Sequence, residues 1–278
     1  MIRKIAYTGR IGMHRAHLVV GGYPPGSTAG HDMDFARRIL LERLAEVPDL
    51  TTTVASDFSG LDKWLPGTDF LLTYVAGPYP DEVQDATLRG WISEGGRWLG
   101  LHGTSGGRAA RIEGTRQRQM VKLPHHDSLG CFFLNHPPIR RFEVNVEDAS
   151  HPITAGLSTS FEVIDELYLV EILGDCNVLL TTELPKDPSP EGFGFSYDED
   201  TSLQADGRTR VLGYTRALGS GEVAYIALGH CHSPTTNSQP MVDESVERDG
   251  ASPPVFRGVW EHESYQQLLG NAIQWGLG

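Results

Sequence analysis

The sequence has few cysteines, no long hydrophobic run and no excess of positive charge. Its three cysteines, Cys131, Cys176 and Cys231, are an odd number without CxxC spacing. That speaks against a disulfide framework and for a reducing compartment. No stretch approaches the roughly 18 consecutive apolar residues of a membrane-spanning helix. The opening MIRKIAYTGRIGMHRAHLVV holds no apolar run of signal-peptide quality, so a cytoplasmic location is the expectation. The formal net charge is −13, with the acids spread along the chain. Such a surface repels phosphate backbones and anionic lipid, which argues against nucleic-acid and membrane partners.

What is present fits a globular α/β chain. The 278 residues are enough for one large core, and 32 glycines with 17 prolines imply many turns and sizeable loops. The first half alternates strand-like and helix-like patterns. Ile5–Thr8 reads as a first strand, Asp34–Glu46 as a helix, Thr51–Ser56 as a second strand and Asp69–Val75 as a third. Pro80-Asp81-Glu82 opens a helix that runs to about Glu94, and Arg97–Leu101 is a fourth strand. This spacing predicts βαβ units and a mostly parallel sheet.

Residues 114–138 break the rhythm and read as an excursion that carries side chains towards a site. Strands are expected at Phe142–Val146, Phe161–Val163, Val178–Thr182, Val211–Tyr214 and Val223–Ala227. A loop or hairpin is expected at 187–208, a long polar loop at 233–254 and a closing helix at Tyr265–Trp275. Neither an internal repeat nor a dividing linker is evident, so residues 1–278 read as one domain.

The sharpest local feature is Trp98-Leu99-Gly100-Leu101-His102-Gly103-Thr104-Ser105-Gly106-Gly107. A strand runs into Gly-X-His-Gly and then into small residues that could begin a helix. This is the shape of a nucleophile elbow, with N–H groups of a following helix available to an anion. The raised residue is His102, and an imidazole suits general acid/base work or metal ligation rather than stable nucleophilic catalysis. A second apolar strand ends in Gly229-His230-Cys231-His232. His230 and His102 therefore sit at equivalent strand ends, where α/β sheets bind ligands. The His-X-His spacing also suits a divalent metal, with His102, His230 and His232 as candidate ligands.

A third feature is Ile164-Asp165-Glu166-Leu167-Tyr168. On an extended segment its adjacent acids face opposite sides, one towards the site and one towards solvent. Asp32 reads as a helix N-cap, which leaves His31 near the end of the first strand. His125 and His126 read as exposed loop residues. His136 and His151, each before a proline, read as structural.

Five segments, GHDMDFARRIL, EGGRWLGLHGTSG, NVEDASHPITAGLSTSFEVIDELY, GSGEVAYIALGH and LLGNAIQWGLG, together resemble the ThuA-like family, related in fold to the class I glutamine amidotransferases. The resemblance implies a flavodoxin-like three-layer α/β/α sandwich. It also implies a site built from His102, His230 and the 165–168 segment. Amidotransferases carry cysteine at the elbow; His102 stands there, so thioester glutaminase chemistry is not expected. The family's link is to sugar metabolism, including keto-sugars.

The leading expectation is an enzyme acting on a small carbohydrate or keto-sugar by isomerisation, elimination or hydrolysis. His102 and His230 act as acid and base with Glu166 or Asp165, either with the help of a divalent ion such as zinc or manganese or without any metal. Substrate contacts are expected from His31, Gly103, Tyr168, His232, Tyr79 and Trp260, and a homo-oligomer is compatible with the sequence. The alternative is a non-catalytic sugar-binding module that lost the amidotransferase cysteine.

Overall fold

The computed structural model describes residues 13–22 and 29–278. The strand expected at Ile5–Thr8 lies outside the described residues. Instead the first described strand is β1 (His14–Gly22), followed by α1 (Met33–Ala45), β2 (Leu50–Ala55), α2 (Leu61–Trp64), β3 (Phe70–Ala76), α3 (Glu82–Ser93) and β4 (Arg97–Leu101). Local chemistry sets these bounds. The Asp32 carboxylate accepts the Phe35 N–H at 3.1 Å to start α1, and a capping box between Asp81 and Gln84 starts α3. β3 and β4 are buried almost throughout, as parallel strands covered on both faces are.

The excursion contains a hairpin of β5 (Arg108–Arg111) and β6 (Arg118–Val121), then α4 (His125–Leu129) and β7 (Cys131–Asn135). There follow β8 (Arg140–Val146), β9 (Ser160–Asp165), β10 (Leu169–Ile172), β11 (Asn177–Glu183), β12 (Thr209–Leu218), β13 (Gly221–Ile226) and α5 (Glu263–Leu277). The stretches 187–208 and 233–254 contain no α-helix and no named strand, as expected.

Among the described residues the main sheet has nine strands in the order β2-β1-β3-β4-β13-β12-β11-β8-β9. It is not the mostly parallel sheet expected. The contacts from β2 to β13 are parallel, whereas those from β13 to β9 are antiparallel. The reversal occurs at the two-residue turn Gly219-Ser220, which folds β12 back onto β13 as a hairpin. α1 and α5 are tied through Arg43 and Gln266, while α2 and α4 each pack against α3. Helix cover lies over the parallel half. Among the described residues, no helix is long and apolar enough to cross a membrane.

The parallel strands β1, β3, β4 and β13 run the same way, so their carboxyl ends share one edge. The chain following β4 and β13 begins there with His102 and with Ala227 to His230.

Candidate functional site

Strand β4 ends and the chain turns at once. His102 adopts a φ of +42°, rare for a residue with a Cβ. Holding it there costs on the order of 1–3 kcal/mol, a cost usually met at functional sites. The Tyr225 hydroxyl donates to the His102 carbonyl at 2.9 Å, and the Tyr79 hydroxyl donates to the Gly103 carbonyl at 3.1 Å. The elbow expected from the sequence is therefore present, with one correction. Residues His102–Ser105 form a single 3-10 turn and no α-helix follows, because β5 takes up the chain three residues later. The helix N-terminus expected behind His102 is absent.

Four side chains converge at this edge. His31, His102, Glu166 and His230 are all buried, and one ligand atom from each lies within 4.8 Å of the others. Glu166 Oε2 is 3.3 Å from His102 Nε2 and 3.3 Å from His230 Nδ1. Its other oxygen is 3.3 Å from His136 Nδ1 and also accepts from the Gln239 amide.

The tautomers follow from the partners of the far ring nitrogens. His102 Nδ1 is 2.7 Å from the Ala227 carbonyl, and His31 Nδ1 is 2.9 Å from the Ala29 carbonyl. A carbonyl only accepts, so both Nδ1 atoms carry the proton. His232 Nε2 donates to the Pro253 carbonyl at 2.7 Å, which leaves its Nδ1 to accept from His230 Nε2 at 3.1 Å. His31 Nε2, His102 Nε2 and His230 Nδ1 consequently present bare lone pairs beside a carboxylate. All three are buried without a hydrogen-bond partner.

Four acceptors facing one another without a proton between them are a poor arrangement unless a cation lies among them. The donor set fits a divalent ion. A tetrahedral site with bonds of about 2.0–2.1 Å has ligand edges of about 3.3–3.4 Å, which matches the 3.3 Å pairs around Glu166 Oε2. Each imidazole is also oriented by a partner on its far nitrogen, as metal-ligating histidines usually are.

Burial pushes the Glu166 carboxyl up, but the imidazoles of His136, His230 and His102 outweigh it and hold the group well below the usual carboxylate range. Burial, reinforced by His230 and His102, holds His31 well below the ordinary imidazole value. Burial also lowers His230 despite the nearby Glu166.

The site opens on a cavity of about 1220 Å³. His31, Glu166, Tyr168 and His230 reach its floor, and Tyr79, Phe133 and Phe193 form parts of its walls. The Tyr168 ring stacks on His102 at 4.0 Å between centroids. Gly103 also lines it. Trp260 does not line it; the ring is buried and donates to the Gly229 carbonyl at 2.8 Å. His232 stands behind His230 with both nitrogens engaged, and His31 takes the place expected for it in the cluster.

The two acids do not divide between site and solvent. Both are buried, because β9 ends at Asp165 and Glu166 follows on irregular backbone. Asp165 accepts the N–H groups of Gly229 and His230 at 2.7 and 3.0 Å. Burial pushes it up to about 7, against the pull of His102 and the Gly229 N–H. It is a positioning residue that fixes the backbone under His230. Asp165→Asn sets an amide NH2 against one of those N–H donors. We expect a loss of about 1–3 kcal/mol, read as a lower urea midpoint at pH 8.

His125 and His126 are also buried rather than exposed. His126 Nε2 donates to the Gly106 carbonyl at 2.9 Å and His125 stacks on Tyr79, so α4 braces the elbow. His151 caps a short turn, in keeping with its structural reading. His136, also read as structural, belongs to the site. Only its place in the excursion hinted at this.

The family profile for trehalose utilisation, ThuA, matches residues 27–248. Among solved structures, the chain is similar to a ThuA-like protein from Bacteroides uniformis, with 16% identity and a TM-score of 0.62 over 99% of this chain and 95% of that one. It is similar to another from Parabacteroides merdae at 15% identity and a TM-score of 0.57, covering 95% and 90%. A cytoplasmic protein of Salmonella typhimurium shares 10% identity at a TM-score of 0.51, covering 95% and 100%. None of the curated proteins matches the chain. These relatives share the fold, and the profile covers most of the sequence: the chain belongs to the ThuA, or trehalose-utilisation, family.

Proposed function

We propose that the protein is a cytoplasmic enzyme of carbohydrate metabolism that moves a proton at a carbon next to the carbonyl of a keto-sugar, leading to isomerisation or elimination. One observation carries this reading. Three buried imidazole lone pairs and an ionised carboxylate converge on the floor of a large, aromatic-walled cavity. Membership of the trehalose-utilisation family supports a carbohydrate substrate. The amidotransferase-like ancestry belongs to the same reading, with His102 where those enzymes hold cysteine.

His31, His102, Glu166 and His230 would hold a divalent cation such as zinc or manganese, which supplies a Lewis acid for a carbonyl oxygen. The remaining groups handle the substrate. His136 Nδ1 is 2.9 Å from the Pro137 carbonyl, so that nitrogen carries the proton and Nε2 is left as a base at the cavity wall. Burial and the Glu166 charge hold the Tyr168 hydroxyl well above its usual value, so it stays protonated and can donate to a sugar oxygen. The aromatic walls offer apolar faces to a sugar ring. If no cation binds, His102 and His230 are themselves free to act as the acid/base pair with Glu166.

Elemental analysis tests the cation. We expect close to one divalent ion per chain, lost in His31→Ala. In His232→Ala the ion is bound about 10–100-fold more weakly, because His230 loses its orienting partner. Chemistry is read by proton NMR in D2O with a panel of keto-sugars, where deuterium should enter at the carbon beside the carbonyl. A loaded protein that exchanges no proton and converts no keto-sugar would sink the enzymatic reading and leave a binding module.

A further inference from the structure

The β5–β6 hairpin is out of keeping with the rest of the surface. On a chain of net charge −13, it carries Arg108, Arg111, Arg116 and Arg118 within eleven residues, all exposed. Among the described residues, none of the four has a carboxylate within ion-pair reach. Most arginines elsewhere are matched, among them Arg37 with Asp34, Arg43 with Glu46, Arg210 with Asp200 and Arg257 with Asp32. The register also sets Arg111 directly opposite Arg118 across the two strands. Like charges so placed destabilise a hairpin.

The hairpin is not a loose appendage. The Ser196 N–H donates to the Arg118 carbonyl at 2.8 Å, and the Arg118 guanidinium lies 5.3 Å from the Phe195 ring centroid. Arg108, Arg116 and Arg118 line the same cavity whose floor holds His31, Glu166 and His230. Glu191 is the other carboxylate lining it. At about 1220 Å³, the cavity exceeds the roughly 300–1,000 Å³ usual for small-molecule sites. It has room for a group well away from the reacting carbon.

We infer that the hairpin is an anion-recognising subsite, and that the substrate is an acidic sugar derivative bearing a phosphate or a carboxylate remote from its carbonyl. Guanidinium groups pair with both anions through two parallel hydrogen bonds. An anion beside Arg118 also offsets its repulsion with Arg111 across the hairpin. The sugar part of this inference rests on the function proposed above; the anion part rests on the hairpin alone.

Calorimetric binding of glucose, glucose 6-phosphate, glucuronate and inorganic phosphate to the full chain tests it. The same titrations are run on an Arg108→Gln/Arg116→Gln/Arg118→Gln variant. These residues are exposed, so the variant should fold, as far-UV circular dichroism will check. An exposed charge contact changes affinity roughly 1.4- to 5-fold, so the three together should favour an acidic sugar over glucose by about 10-fold. That preference should shrink as salt rises and vanish in the variant. A preference for glucose 6-phosphate alone assigns a phosphate, and one for glucuronate alone a carboxylate. If no sugar binds but inorganic phosphate does, and is lost in the variant, the anion subsite stands and the carbohydrate reading falls. Equal affinity for glucose and both acids, a preference that survives in the variant, or no anion binding at all would overturn the inference.

Discussion

Glu166→Gln should reduce turnover of an accepted keto-sugar by about 10²–10⁴-fold, because it removes a ligand of the cation and the carboxylate beside the His136 base, and an acid/base group alone contributes in that range. That corresponds to roughly 3–5 kcal/mol of transition-state stabilisation. The carboxylate is the hub of the cluster, within 3.3 Å of His102, His136 and His230. The amide has nearly the same shape but no charge, and its NH2 would donate where a cation is needed. Bound divalent metal should fall in parallel. Turnover of the purified variant, beside its metal content and a far-UV spectrum, gives the answer. A folded Glu166→Gln protein with full activity would remove Glu166 from the mechanism and the cluster from the proposal.

The second large effect is structural. A Cβ built on Gly103 lies 2.5 Å from the Val75 carbonyl oxygen. Backbone cannot rotate aside as a side chain can, so the elbow or the end of β3 must shift. Overpacking of this kind costs about 1–3 kcal/mol and sometimes more, and Gly103→Ala should fall at the upper end. Because His102 is the preceding residue, displacement of about 1 Å should also cost about 100-fold in turnover. Gly90→Ala is the control. It lies within α3, nothing stands within 4 Å of its added Cβ, and it should stabilise by about 0.5–1 kcal/mol. Urea midpoints of the two variants should therefore move in opposite directions. A Gly103→Ala protein as stable and active as the parent would show that the tight elbow is not needed.

Much of the parallel half was legible. Arg97–Leu101 forms the fourth expected strand with the same bounds, and the capping residues Asp32 and Asp81 mark helix starts as their chemistry requires. β1 escaped notice because His14, Arg15 and His17 dilute its apolar pattern, yet His17 is buried, stacks on Trp64 and pairs with Thr53. The switch to antiparallel pairing was also written in the chain, as a two-residue Gly219-Ser220 link between strands.

The elbow and the Gly-His strand end stood out because each is a local pattern. His136 and the buried His125-His126 pair did not, since their burial depends on where α4 and β7 pack. His31 joins the cluster where His232 was expected, and His232 stands behind it off the cavity, for a similar reason. Neighbours in sequence suggested a His-X-His chelate, but His232 turns to Pro253 while His31 arrives from a segment far away in the chain.

That distance has a consequence for folding. His31, His102, Glu166 and His230 come from four separate stretches, and the span from the first to the last is 200 residues. No shorter fragment contains the whole cluster. Anything that ties these four together closes three long loops at once, a contribution that grows only slowly with loop length but recurs at each closure. Occupancy of the cluster is therefore coupled to completion of the fold. A ligand at 100 times its dissociation constant adds about 2.7 kcal/mol to the native state, felt across the central sheet and not only at its edge.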